Sequence, residues 1–258
     1  MKVLYLDCSM GASGDMLMSA LLELHPNPEG FLQRLNALQI PGVFIQAVSA
    51  EKCGICGTQI IVTIHGIEEG SDHLHHHDPP HEHQHTSMSD IKHIIHHLDL
   101  PLIVRDDVIA VYTIIAAAES QVHQKPVKQV HFHEVGMMDA IADVAGVCLL
   151  MSELGVDYVL SSPVHVGSGE VACAHGILPV PAPATAHILN GVPIYGGTIK
   201  GELCTPTGAA LLRYFSSDFV SMPVMKVEKI GYGMGKKDFE SANCLRAIIG
   251  ESQSFKQA

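Results

Sequence analysis

The chain has 258 residues, 27 acidic against 15 basic side chains, and a formal charge of −12. That balance excludes nucleic acid as the main partner, because neutralising phosphates needs clustered Lys and Arg. Hydrophobic residues make up 47%, but Trp is absent, so Val, Ile, Leu, Met and Ala must fill the core of one large or two small domains. The seven Cys are mostly scattered, which fits reduced thiols better than a disulfide framework. The opening apolar run is too short for a signal peptide, and no stretch reaches membrane-span length. These features read as a cytoplasmic protein that does not contact a membrane.

In chain order, residues 3–7 read as a buried strand ending at Asp7. Cys8 to Asp15 is a small-residue loop, and a helix follows over 15–24 with Met16, Leu17, Ala20, Leu21 and Leu24 on one stripe. Strand, glycine loop and helix form a phosphate-cradle layout. Gly11, Ser13 and Gly14 would let backbone N–H groups approach an anion. There is no Walker lysine and no GxGxxG spacing. Asp7 and Asp15 could instead hold a metal, and Ser13 or Asp15 could serve only as a helix cap. A helix over 31–38 and a hairpin around 51–57 come next. That turn carries Cys53-Gly54-Ile55-Cys56, which has metal or redox spacing without a second Cys pair to complete a zinc site.

Composition then changes abruptly. Of the 18 His, 11 lie between His65 and His97. Within that span, His73, His75, His76, His77, His81, His83 and His85 form a low-complexity tract with Pro79 and Pro80. The tract is expected to be a disordered loop outside the core, binding Ni²⁺, Zn²⁺ or Cu²⁺ without fixed geometry. Ser87 or Ser89 caps a helix over 90–98, Pro101 interrupts, and a second helix runs over 103–123.

The next stretch is the richest in chemistry. His131, His133, Glu134, Asp139 and Asp143 fall within thirteen residues. His131 and His133 share one face of an extended segment, Gly136 breaks it, and Asp139 and Asp143 share one face of a helix starting near Met137. Imidazole and carboxylate together suit a divalent metal, Mg²⁺ or Mn²⁺ where oxygens dominate. Read more plainly, acidic residues in a first helical turn answer the helix dipole, and a His pair on a strand is solvated. Further on, residues 156–160 read as a strand and 164–176 as a glycine-bearing hairpin flanked by His165 and His175. Pro183 opens a helix to 189, and 192–195 is a short strand. Thr205, Thr207 and Gly208 open another helix and a second anion-site candidate. Residues 224–249 close the chain as a hairpin with a long loop, and 251–258 fray. No Gly-x-Ser-x-Gly elbow or Cys–His nucleophile motif is present.

Five segments resemble the LarC family of nickel-insertion proteins. They are Tyr5 to Met16, His131 to Asp143, His175 to Thr185, Gly201 to Gly208 and Asn243 to Arg246, with the His-rich insert resembling that family's variable loop. The resemblance covers residues 1 to about 250, with 70–87 as the insert. It implies insertion of nickel into pyridinium-3,5-bisthiocarboxylic acid mononucleotide, making the pincer cofactor of lactate racemase-type enzymes. It further implies CTP with Mg²⁺ or Mn²⁺, a homo-oligomer, apo-racemase as a recipient, and a C-terminal CTP-linked domain that this chain does not carry. On that reading the 131–143 cluster supplies base and nickel-donor groups, and either glycine-bearing loop holds the substrate phosphate. Two other readings remain: a nickel storage or delivery protein built on the His tract, and a Mg²⁺- or Mn²⁺-dependent phosphohydrolase built on Asp7, Asp15 and the 131–143 cluster. The expected fold is mixed α/β, a central mixed sheet with packed helices.

Overall fold

The structure is a computed structural model and describes residues 1–68, 86–132, 137–173 and 176–252. Strand β1 (Lys2–Asp7) leads through the glycine loop into α1 (Gly14–Leu24), whose long apolar stripe is buried nearly throughout. Helix α2 (Pro28–Ala37) starts three residues earlier than the periodicity predicts. Pro28 pre-sets the first turn, and the Asn27 side chain accepts from the Gly30 N–H at 3.0 Å. Strands β2 (Val43–Lys52) and β3 (Ile55–Ile64) form the expected hairpin, joined by a two-residue turn with positive φ at Cys53 and Gly54. Short strands β4 (Ile67–Glu68) and β5 (Thr86–Ser87) lie on either side of residues 69–85.

Ser87 is the cap of α3 (Met88–His97) and exchanges bonds with Asp90 in a capping box. Helix α4 (Leu102–His123) precedes β6 (His131–Phe132), and α5 (Met138–Leu154) ends at Gly155 in the left-handed region. Strands β7 (Tyr158–Ser161), β8 (Val164–His165), β9 (Gly167–Ser168), β10 (Glu170–Cys173) and β11 (Gly176–Pro179) follow. The 164–176 stretch is therefore not one hairpin flanked by two histidines. Only β10 and β11 pair as a hairpin, while His165 sits on β8 and pairs with β12 (Ile194–Tyr195), which follows α6 (Pro183–Ile188). His175 lies outside the described residues. After β13 (Gly201–Glu202) come α7 (Pro206–Phe215), β14 (Asp218–Phe219), β15 (Lys226–Met234) and β16 (Cys244–Glu251).

The central sheet runs β14-β7-β1-β16-β15-β3-β2, with β4 pairing β3. It is mixed: β1–β7, β7–β14 and β3–β15 are parallel, and the other pairs are antiparallel. Strand alternation gives its two faces different company. Leu4, Leu6, Ile60, Val62, Leu245 and Ala247 point to the helices and join the main core. Val3, Tyr5, Leu160 and Ile248 point the other way and form a small second cluster. Helix α1 packs closely on β15 because that strand carries glycine on the helix side: a Cβ on Gly233 would stand 1.9 Å from the Met16 carbonyl oxygen. Among the described residues, no helix is long and apolar enough to cross a membrane.

Candidate functional site

Three helix starts meet at one end of the sheet. The glycine loop before α1 and the segment before α7 are tied backbone to backbone. The Ala12 N–H donates to the Leu203 carbonyl at 3.0 Å, and the Thr205 N–H donates to the Ala12 carbonyl at 3.1 Å. Glycine is required at both contacts. Gly11 has φ +79° and a Cβ there would fall 1.9 Å from the Leu203 oxygen; on Gly208 it would fall 2.2 Å from the Ala12 oxygen. Gly14, at the head of α1, abuts the Asp143 side chain of α5, where an added Cβ would stand 2.7 Å away. These contacts lock the α1, α5 and α7 N-termini around a cavity of about 270 Å³.

The remaining wall is the loop between β15 and β16, which contributes Lys236, Lys237, Phe239 and Asn243. Two braces hold it. The buried Asn243 donates from Nδ2 to the Lys237 carbonyl at 2.8 Å, and its own carbonyl accepts from the Gly235 N–H at 2.9 Å. From the β2–β3 hairpin, Lys52 Nζ reaches Asp238 Oδ1 at 2.6 Å and the Lys236 carbonyl at 3.3 Å.

The cavity lining carries both signs of charge. Asp15, Asp139, Asp143 and Glu202 bring carboxylates. Ser13 donates to Asp15, which also accepts from the Met16 N–H at 2.9 Å. One oxygen of Asp139 is buried with no hydrogen-bond partner among the described residues. Tyr112 of α4 is wholly buried behind this group. Burial pushes its hydroxyl well above the ordinary range, and the Asp139 and Asp143 charges add to the rise, so it stays protonated. On the same lining, neither Lys236 nor Lys237 forms a side-chain ion pair among the described residues. The α7 start adds Thr205 and Thr207, whose hydroxyls lie 3.0 Å apart, and Thr205 accepts from the Gly208 N–H at 3.2 Å. Helix N-termini and ammonium groups favour an anion; the carboxylates favour a cation.

Among the residues expected to act, Ser13, Gly14, Asp15, Asp139, Asp143, Thr205 and Thr207 all line this cavity. Gly11 and Gly208 stand in its walls as packing contacts. Asp7 does not join them. It alternates with Leu6 and so leaves the sheet on the face away from the helices, where both its bond to Arg246 Nε at 3.0 Å and a contact from the other guanidinium nitrogen hold it. Burial acts to raise the Asp7 carboxyl, but the bonds from Arg246 and Ser9 outweigh it and keep it below the usual range. The side chain of His131 is not described. His133, Glu134, His73, His75, His76, His77, His81, His83 and His85 lie outside the described residues. Among the described residues, no group of three or more His, Cys, Asp or Glu is placed to hold a metal ion. The oxygens of Asp15, Asp139, Asp143 and Glu202 thus suit Mg²⁺ or Mn²⁺ in kind and share one cavity, without converging on one point.

Cys53 and Cys56 make separate contacts, Cys53 Sγ with the Glu240 carbonyl at 3.6 Å and Cys56 Sγ with Glu51 Oε2 at 4.0 Å. Burial pushes the thiols of Cys8 and Cys204 up, so both stay protonated beside the glycine loop. Lys236, Lys237 and Phe239 were not expected from the sequence. Their local signal is slight: two adjacent lysines in an acidic chain, between Gly235 and Asn243.

A model of the family described as nickel insertion protein matches residues 4–258. A pyridinium-3,5-bisthiocarboxylic acid mononucleotide nickel insertion protein of Desulfitobacterium hafniense (strain DSM 10664 / DCB-2) is 41% identical over 251 residues, 97% of this chain and 59% of that protein. Proteins of the same name from Geobacillus kaustophilus and Clostridium kluyveri are each 40% identical, covering 97% and 98% of this chain against 60% and 63% of their own lengths. The chain therefore spans about three fifths of the length of these curated relatives. No solved structure matches.

Proposed function

The chain belongs to the nickel insertion protein family, and from that premise we propose that it inserts nickel into pyridinium-3,5-bisthiocarboxylic acid mononucleotide. The observation that carries this reading is one cavity whose lining joins carboxylates at the α1 and α5 starts to the hydroxyl-bearing α7 start and two lysines of the β15–β16 loop. A pincer mononucleotide carries a phosphate, which suits the lysines and the helix start, and a ring flanked by two thiocarboxylates, which reach the carboxylates only through a nickel ion between them. Phosphate at the α7 start directs the ring toward Asp139 and Asp143. There nickel, as a substrate, would gain two Ni–S bonds and one Ni–C bond, and the ring carbon would release its proton. A carboxylate within reach takes that proton, and Asp139 fits because one of its oxygens has no donor to satisfy among the described residues. His131, His133 and Glu134, just ahead of α5, complete the nickel-donor set in this proposal.

CTP and Mg²⁺ or Mn²⁺ enter this reading through the family resemblance. Bound at these carboxylates, the divalent ion would supply charge neutralisation for phosphate groups. The remaining two fifths of the relatives' length is the natural place for CTP handling, so the chain is expected to act together with that portion. The reading extends to a cytoplasmic homo-oligomer delivering its product to an apo-racemase.

The test mixes the chain with Ni²⁺ and the sulfur-bearing precursor. It is run with and without CTP·Mg²⁺ and with and without the portion of a relative that this chain does not span, supplied as a second polypeptide. A new nickel–sulfur absorbance band and activation of apo-racemase are expected in the complete mixture. No transfer in the complete mixture overturns the proposal.

A further inference from the structure

We propose that the β15–β16 loop is the recognition arm for the substrate's ring and phosphate: Phe239 stacks on the pyridinium face, and Lys236 and Lys237 take the 5′-phosphate. This rests on the proposed function for its substrate class. Phe239 is half-buried on the cavity wall, where the glycine of β13 leaves space beside it: a Cβ on Gly201 would stand 3.8 Å from the Phe239 ring. A pyridinium ring is a planar cation, the kind of group an aromatic face attracts through its quadrupole as well as by area. The chain has no Trp, and Phe239 is the aromatic side chain on the cavity wall.

The two lysines fit the phosphate for a separate reason. In a chain of net charge −12, both lysines line this cavity and neither has a side-chain ion pair among the described residues, while the neighbouring Asp238 is taken by Lys52. Both lysines are exposed, and the loop that carries them is braced through its backbone carbonyls by Asn243 and Lys52, which holds their Cα positions at the cavity. The arm thus orients the nucleotide, with phosphate at Lys236 and Lys237, ring across Phe239, and the thiocarboxylates facing Asp139 across the nickel ion they are to receive.

The test uses nicotinic acid mononucleotide, which has the ring and phosphate but no sulfur, with nicotinic acid riboside and ribose 5-phosphate as fragments, all titrated calorimetrically into the full chain without nickel. The unaltered chain should bind the mononucleotide more tightly than either fragment. Phe239→Ala should weaken the mononucleotide and the riboside by about tenfold and leave ribose 5-phosphate unchanged, with Phe239→Leu falling between. Lys236→Ala with Lys237→Ala should weaken the mononucleotide and ribose 5-phosphate, leave the riboside unchanged, and flatten the salt dependence. Failure of the unaltered chain to bind the mononucleotide overturns the proposal, as does wild-type affinity in variants whose circular dichroism is unchanged. Nickel plays no part in these titrations. Normal binding with no nickel transfer therefore removes the function and keeps the arm, and transfer with unaltered KM in the variants removes the arm and keeps the function.

Discussion

The two faces of the central sheet treat the same side chain in opposite ways. On the outer face, Asp7 at the end of β1 meets Arg246 directly across the β1–β16 register, and its charge is answered. On the helix face, Asp15 and Asp139 sit at helix starts with no cationic side chain paired to them among the described residues, and the lysines that share their cavity stand on another wall. A carboxylate neutralised by its neighbour contributes to the fold. A carboxylate left to helix dipoles and a cavity is available to a ligand. The contrast separates an acid committed to the fold, on β1, from acids left open to a ligand at the α1 and α5 starts.

The strongest test of that contrast replaces the helix-face acids. Asp139→Asn together with Asp143→Asn should lower nickel transfer on the order of 100-fold, equivalent to about 2.7 kcal/mol of barrier, while the melting temperature holds. Transfer within a few-fold of the unaltered chain would remove the helix face from the chemistry. Gly233→Ala acts on packing, because the added methyl meets the Met16 carbonyl; urea unfolding should show a loss of about 1–3 kcal/mol. Thr205→Ala removes the cap of α7 and should cost about 1 kcal/mol in the same measurement, with weaker binding of ribose 5-phosphate.

Asp7→Asn should have the smallest effect, and one confined to stability. Asp7 has a folded pKa below its unfolded value, so its contribution is present above the unfolded pKa and is lost as pH falls through the folded one. The stability difference between Asp7→Asn and the unaltered chain should be about 1 kcal/mol or less at neutral pH and should shrink in acid, because Arg246 is half-exposed. Nickel transfer should not change. A large loss of transfer would mean that the outer face takes part after all.

Much of the site was legible in the sequence because its parts are helix starts. Ser13 to Asp15, Asp139 with Asp143, and Thr205 to Gly208 each announce themselves through capping residues, glycine and helical spacing, and each helix begins within about two residues of its expected start. Asp7 was grouped with them because its strand leads straight to the loop. Its alternation with Leu4 and Leu6 already placed it on the other face, and only the side on which the helices pack was missing. Lys236, Lys237 and Phe239 could not be found locally. Their place in the cavity depends on β15 lying beside α1 and β16 lying beside β1, contacts between residues over 200 positions apart. The same limit applies to 164–176, where pairing of β8 with β12 and of β9 with β13 competes with the local hairpin.

The position of β16 sets an order of assembly. β1 is made first and β16 last among the described strands, yet β16 lies between β1 and β15 and is the strand that joins them. On a translating ribosome the sheet must therefore wait as two parts, β14-β7-β1 and β15-β3-β2, each with an open edge, until residues 244–251 emerge. The glycine loop belongs to the first part and the lysine arm begins in the second. The cavity between them cannot close around a ligand before that late strand is inserted, so a growing chain stays without a formed cavity until the sheet is joined.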